Sequence, residues 1–245
     1  NELKFTRELR GNVLKLIPEA KRDITISFFT SEGVYKDRAL RPTSMATPNY
    51  LIEENHYYEF DNRNGALSLD NHFTPYDIEL DLAPRERKLF YIKCTVEELD
   101  DRNGFEIVEE YMNRAIHLMI QSGYSNSFAL NLVKAADHFI VDRRSTGLKT
   151  ILAGFPWFTD WGRDTMIAFE GLTLCTRRFE DAREILESFA RYVKNGLVPN
   201  VFPDKGSEPQ YNTVDASLWY IHAVYQYLQY TGSKDDYAFV REKLY

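Results

Sequence analysis

The hydrophobic pattern changes its period once along the chain. From the N-terminus to about Glu97 the apolar positions fall in short β-type runs: Asn12 to Ile17, Ile24 to Thr30, Tyr57 to Asp61, Tyr76 to Leu82 and Lys88 to Thr95. In Ile24-Thr25-Ile26-Ser27-Phe28 and in Tyr76 to Leu82, apolar and polar residues alternate, the signature of a sheet with one face buried and the other wet. Asp61-Asn62-Arg63-Asn64-Gly65 is a turn cluster. These features predict an antiparallel β-sandwich portion over residues 1–97.

From Gly104 the apolar residues recur at helical spacing. The expected helices are Glu106 to Gln121, Ser127 to Val141, Arg163 to Thr176, Phe179 to Asn195, Thr213 to Tyr230 and Asp235 to Leu244. Gly123, Asn195-Gly196 and Thr231-Gly232 supply stop signals, places where a left-handed residue satisfies the last carbonyls of a helix. The pattern therefore predicts an all-α region over residues 106–245, joined to the β-rich region by a solvated acidic linker over 98–105.

Composition narrows the partners. With 37 acidic and 30 basic residues the formal net charge is -7, which gives no positive field to attract nucleic acid or an anionic membrane. Aromatics form 14% of the chain, a level that packs cores but also suits sugar faces. Cys94 and Cys175 are too few for a disulfide framework, and no apolar run approaches the roughly 20 residues of a membrane span, so a cytoplasmic protein is expected. His117, His138 and His222 share no metal-ligand spacing, and neither a metal nor another cofactor is implied. No initiator Met opens the sequence, and it stops in helix-like text at Arg241 to Tyr245, which suggests a piece of a longer protein.

Two loops carry the candidate chemistry. The first, within Thr146 to Asp164, reads Gly154-Phe155-Pro156-Trp157-Phe158-Thr159-Asp160-Trp161-Gly162-Arg163-Asp164. Its glycines and proline fix an irregular backbone, while Trp157, Phe158 and Trp161 offer faces for a glucose ring. Arg163 and Asp164 can hydrogen-bond hydroxyls through charge-assisted bonds. The same residues would equally serve as a buried Trp cluster with a satisfied Arg-Asp pair and a helix cap. The second loop, Gly196 to Val214, leads to Asp215 at the start of an aromatic helix, where Asn212 and Thr213 can cap. Asp215 is the sharpest candidate acid, although a carboxylate in a first helical turn is also ordinary dipole chemistry. Asp160, Asp204 and Glu208 are further acids near these loops.

The blocks Phe155 to Thr165 and Tyr211 to Tyr220 together resemble the amylo-α-1,6-glucosidase domain of glycogen debranching enzymes over roughly residues 105 to 245. The β-rich region is similar to the later part of the N-terminal domain of bacterial and archaeal members. The resemblance implies the first half of an (α/α)6 barrel and an inverting hydrolase acting on branched α-glucan. In that chemistry, an acid and a base stand roughly 6.5–9.5 Å apart. It assigns Asp215 as general acid and Arg163 with Asp164 as the clamp on a terminal glucose. Trp157, Asp160, Trp161, Asn212 and Trp219 become further substrate contacts, and the base is expected beyond Tyr245. Two alternatives remain: a non-catalytic glucan-binding fragment, or another helical-barrel glycosidase of glucoamylase-like or trehalase-like type.

Overall fold

A computed structural model describes residues 4–40, 52–154, 158–201 and 208–244. The chain divides into two compact units, residues 1–109 and 110–245.

The first unit is built from antiparallel strands. β1 (Phe5–Arg10), β2 (Val13–Pro18), β3 (Ile26–Thr30) and β8 (Ile92–Thr95) form one sheet in that order. A second pair joins β4 (Val34–Asp37) to β7 (Tyr76–Glu79), and a third joins β5 (Ile52–Tyr57) to β6 (Leu69–Phe73). Alternation decides what is buried: Leu14 and Leu16 point inward from β2 and meet Tyr35 of β4, with Phe5, Ile26, Phe28, Tyr76 and Ile78 packed around them. One expected strand is corrected. Tyr57 to Asp61 is the end of β5 followed by a short helix, α1 (Glu59–Arg63). The Glu59–Arg63 ion pair, one turn apart, favours the helix, and Gly65 at φ 71 ends the turn.

The helix α2 (Gly104–Ser122) contains the boundary between the units. The second unit continues with α3 (Ser127–Asp137), β9 (Ile140–Arg143), β10 (Leu148–Ile151), α4 (Gly162–Phe169), α5 (Phe179–Ala190), α6 (Asp215–Tyr230) and α7 (Lys234–Phe239). It is not all-α, as the periodicity predicted: β9 and β10 form an antiparallel hairpin, with Ile140 opposite Ile151. Both isoleucines are buried in the helical core, and Gly147 at φ 67 supplies the turn, so packing overrides the helical reading of Ser127 to Val141. The α3 helix ends at Asp137, whose carboxylate is held by Arg114 from α2 and by Arg178 just before α5.

On α5, Ala182, Ile185, Leu186 and Phe189 follow helical spacing, and none is more than 1% exposed. They meet Ile151, Met166, Phe169, Tyr220, Ala223, Tyr227 and Phe239, which gathers β10, α4, α6 and α7 around one core. After Phe169 the helix widens into a π turn over Glu170–Leu174, with Cys175 N donating to the Glu170 carbonyl at 2.9 Å. The expected stop residues hold left-handed backbone: Gly123 at φ 74, Asn195 at 53, Gly196 at 76 and Gly232 at 62. Among the described residues the helices do not close into a barrel, and no helix is long and apolar enough to cross a membrane.

Candidate active site

The two loops singled out by sequence come together at the starts of α4 and α6, which pack against each other. Trp161 and Val201 form an isolated antiparallel bridge, and Val201 bridges in turn to Gln210. Asn200, 3% exposed, ties this arrangement on every side. Its carbonyl accepts from Gly162 N at 2.7 Å, and its own N donates to the Gln210 carbonyl at 2.8 Å. Its Oδ1 accepts from Arg163 N at 3.2 Å, and its Nδ2 donates to Asn212 Oδ1 at 3.4 Å. Gly162 is required for so close an approach, since a Cβ there would lie 2.2 Å from the Pro199 carbonyl oxygen.

This framework sets Arg163 against Asp215. The guanidinium Nε lies 3.1 Å from Oδ1 and 3.0 Å from Oδ2, and both side chains are 45% exposed. Arg163 thus pairs with the candidate acid of the other loop, while its sequence neighbour Asp164 is exposed to solvent. Asp215 is the first residue of α6, and Trp219 lies one turn further along the same helix face, edge-on to His222 at 5.6 Å between ring centroids. The outer side of α6 remains apolar: Leu218 is 64% exposed and Ile221 65%, beside a partly exposed Trp219. An accessible carboxylate, a guanidinium and an indole face on one side of a helix can hold hydroxyls and cover a sugar ring.

Other candidates fall elsewhere. Asp160 is 2% exposed, and its Oδ2 accepts from Arg143 Nη1 at 2.5 Å and from Thr150 Oγ1 at 2.9 Å, locking the first loop onto the β9–β10 hairpin. A cavity of about 330 Å³ runs beside Arg143, Thr150, Thr159 and Asp160; Arg163, Asp215 and Trp219 are not in its lining. The expected cap of α6 by Asn212 or Thr213 does not form: the cap position is Val214, without a side-chain bond, and Asn212 faces Asn200 instead. Glu208 is exposed. Trp157, with Phe155, Pro156 and Asp204, lies outside the described residues.

Sequence reasoning passed over Asn200, which stood unremarked in the second loop. Its flanking residues Pro199 and Val201 were a signal that this short polar side chain sits in an otherwise apolar run.

Comparison with known proteins agrees with the resemblance carried by the two loops. Residues 134–245 match the family described as amylo-alpha-1,6-glucosidase. A glycogen debranching enzyme of Saccharomyces cerevisiae is 33% identical to this chain over a stretch covering 47% of the chain and 8% of that protein. The chain therefore matches only a small part of that relative's length. The matched family segment contains both loops, Asn200, Arg163 and Asp215.

Proposed function

We propose that this chain carries part of the catalytic domain of a debranching glycoside hydrolase, one that releases α-1,6-linked glucose at the branch points of glycogen or starch with inversion. The contact between Arg163 and Asp215 carries this reading, because it unites the two loops that resemble the family and places Trp219 on the same side. In this reading Asp215 is the general acid, and Arg163 and Asp164 hold the terminal glucose. Trp161, Trp219 and Asn212 line its approach, Trp157 is a further substrate contact by the family resemblance alone, and Asp160 positions the first loop through Arg143 and Thr150.

Both oxygens of Asp215 face Arg163, so the contact must be exchanged before either can reach a glycosidic oxygen. A glucosyl hydroxyl accepting from the guanidinium would make that exchange and free the carboxylate to take up a proton from solvent, which it then gives to the departing glycosidic oxygen. Water becomes the nucleophile only with a second carboxylate acting as base on the opposite face of the sugar. The exposed apolar side of α6 supports placing these helices in a larger (α/α)6 barrel, where such a side would be covered. The two free cysteines, Cys94 and Cys175, fit a reducing, cytoplasmic setting.

The test compares glucose release from phosphorylase-limit dextrin, linear maltooligosaccharide and trehalose, using a protein that carries this chain within a complete catalytic domain. Preference for limit dextrin is expected. Preference for the linear chain would favour a glucoamylase-like enzyme. Binding of limit dextrin without any release would leave a glucan-binding module.

A further inference from the structure

Far along the sequence from the candidate active site, the β5–β6 hairpin gathers Glu53, His56 and His72 so that one ligand atom from each lies within 4.8 Å of the other two. We propose that these residues form a binding site for a divalent transition cation of zinc's type, with Tyr58 orienting one of the ligands. The histidines weighed for metal spacing in the sequence were His117, His138 and His222. The pair that converges is 16 residues apart and meets only through strand pairing.

The backbone explains the convergence. Glu53 stands directly opposite His72, and His56 opposite Asp70, with a register shift between Glu53 and His56. In an unbroken strand, residues three apart point to opposite faces. Here Asn55 adopts φ 58, a left-handed conformation uncommon outside glycine, and its N donates to Asn71 Oδ1 at 2.9 Å. The irregularity turns His56 onto the face that holds Glu53 and His72, which is the re-aiming a β-bulge performs.

The donor atoms are also oriented. His56 Nδ1 lies 3.1 Å from Glu53 Oε1, His72 Nδ1 lies 4.0 Å from Oε2, and the two imidazoles stack with centroids 4.4 Å apart. Donors at about 2.0–2.1 Å around a tetrahedral ion stand about 3.3 Å from one another, so small side-chain movements close the set. The Tyr58 hydroxyl meets Nε2 of His72, the ring nitrogen turned away from Glu53. With Tyr58 Oη accepting from Nε2–H, the Nδ1 lone pair is left toward the cluster, as an outer partner fixes the tautomer of a metal-bound histidine. Two imidazoles and one carboxylate suit Zn²⁺ better than Ca²⁺ or Mg²⁺, and the 61% exposure of the Glu53 side chain leaves room for water as a fourth ligand. The hairpin is largely exposed, so an ion bridging its two strands would hold together an element that buries little of its own surface.

The probe is cobalt(II), added to the full 245-residue chain after chelator treatment. Its ligand-field absorption reports tetrahedral nitrogen and oxygen ligation, and zinc competition gives the affinity. One equivalent of tetrahedral cobalt, displaced by zinc, is expected, together with slowed hydrogen exchange of the β5 and β6 amides. His72→Ala should abolish the absorption, His117→Ala should leave it intact, and Tyr58→Phe, which keeps all three ligands, should weaken binding about 10–100-fold. Absence of the tetrahedral spectrum in the unsubstituted chain would overturn the proposal without recourse to any variant. So would binding that survives His72→Ala.

Discussion

The Nε of Arg163 lies within 3.1 Å of both carboxylate oxygens of Asp215, a residue 52 positions away in sequence. Because both partners are half-exposed, the pair itself contributes little to stability, typically about 0–1 kcal/mol. Its geometry matters more than its charge, since a lysine would keep the charge and lose the planar donor set. Arg163→Lys should therefore shift the thermal midpoint by no more than a few degrees while lowering glucan turnover at least about tenfold. Thermal unfolding and glucose release, measured on the same preparation, check both. A large loss of stability would mean that Arg163 is structural instead.

Asn200 and Gly162 set the spacing of the two loops. Asn200→Ala removes two side-chain hydrogen bonds at a buried position and should cost about 1–3 kcal/mol. Gly162→Ala forces a methyl against the Pro199 carbonyl and should cost a similar amount through backbone displacement. Urea unfolding measures each. The two substitutions act on one contact network, so the double variant should lose less than the two single losses added together.

Asp137 anchors α2, α3 and α5. Burial works to raise the pKa of its carboxyl, but the Arg114 and Arg178 guanidiniums outweigh burial and hold it below the usual carboxylate range. A depressed value contributes stability above the unfolded pKa, about 3.9, which is lost as the pH falls through the folded value. Asp137→Asn should destabilise the chain by about 2 kcal/mol at neutral pH, because the Arg178 side chain, 1% exposed, then keeps only its Asp181 partner. The gap between variant and original should then narrow as the pH drops below about 4. Chemical denaturation across that range tests the sign; a constant gap would contradict it.

Tyr220 is buried with its hydroxyl donating to the Leu186 carbonyl at 2.9 Å, and burial raises its pKa far above the ordinary value. Tyr220→Phe should cost about 1 kcal/mol and abolish the link between α6 and the α5 backbone. Ultraviolet titration of the folded chain should show this phenol resisting ionisation until the protein unfolds.

Much of the fold was legible where local chemistry is strong. Gly123, Asn195-Gly196 and Gly232 marked their turns because left-handed backbone favours glycine or asparagine. The β9–β10 hairpin was hidden because Ile140 and Val141 continue the apolar run of α3, and four-residue strands are too short to establish a period of their own. The β5 strand escaped for the opposite reason, since Glu53, Glu54 and Asn55 give it no apolar face. At the candidate site, Arg163 and Asp215 were each visible within a distinctive loop. Arg163 was expected to clamp a glucose together with the adjacent Asp164, and no local signal indicates a contact made across 52 residues. Asn200 was marked only by its apolar neighbours Pro199 and Val201, while the groups it ties together come from other parts of the chain.

If Asp215 delivers a proton to the departing sugar oxygen, its removal must be felt most where the leaving group needs that proton. Asp215→Asn should be compared with the original in a protein carrying the complete catalytic domain, on limit dextrin and on α-glucosyl fluoride, whose fluoride leaves without a proton donor. A loss of about 10²–10⁴-fold is expected on limit dextrin and a much smaller one on the fluoride. Equal losses on both substrates, or no loss on limit dextrin, would contradict that role for Asp215.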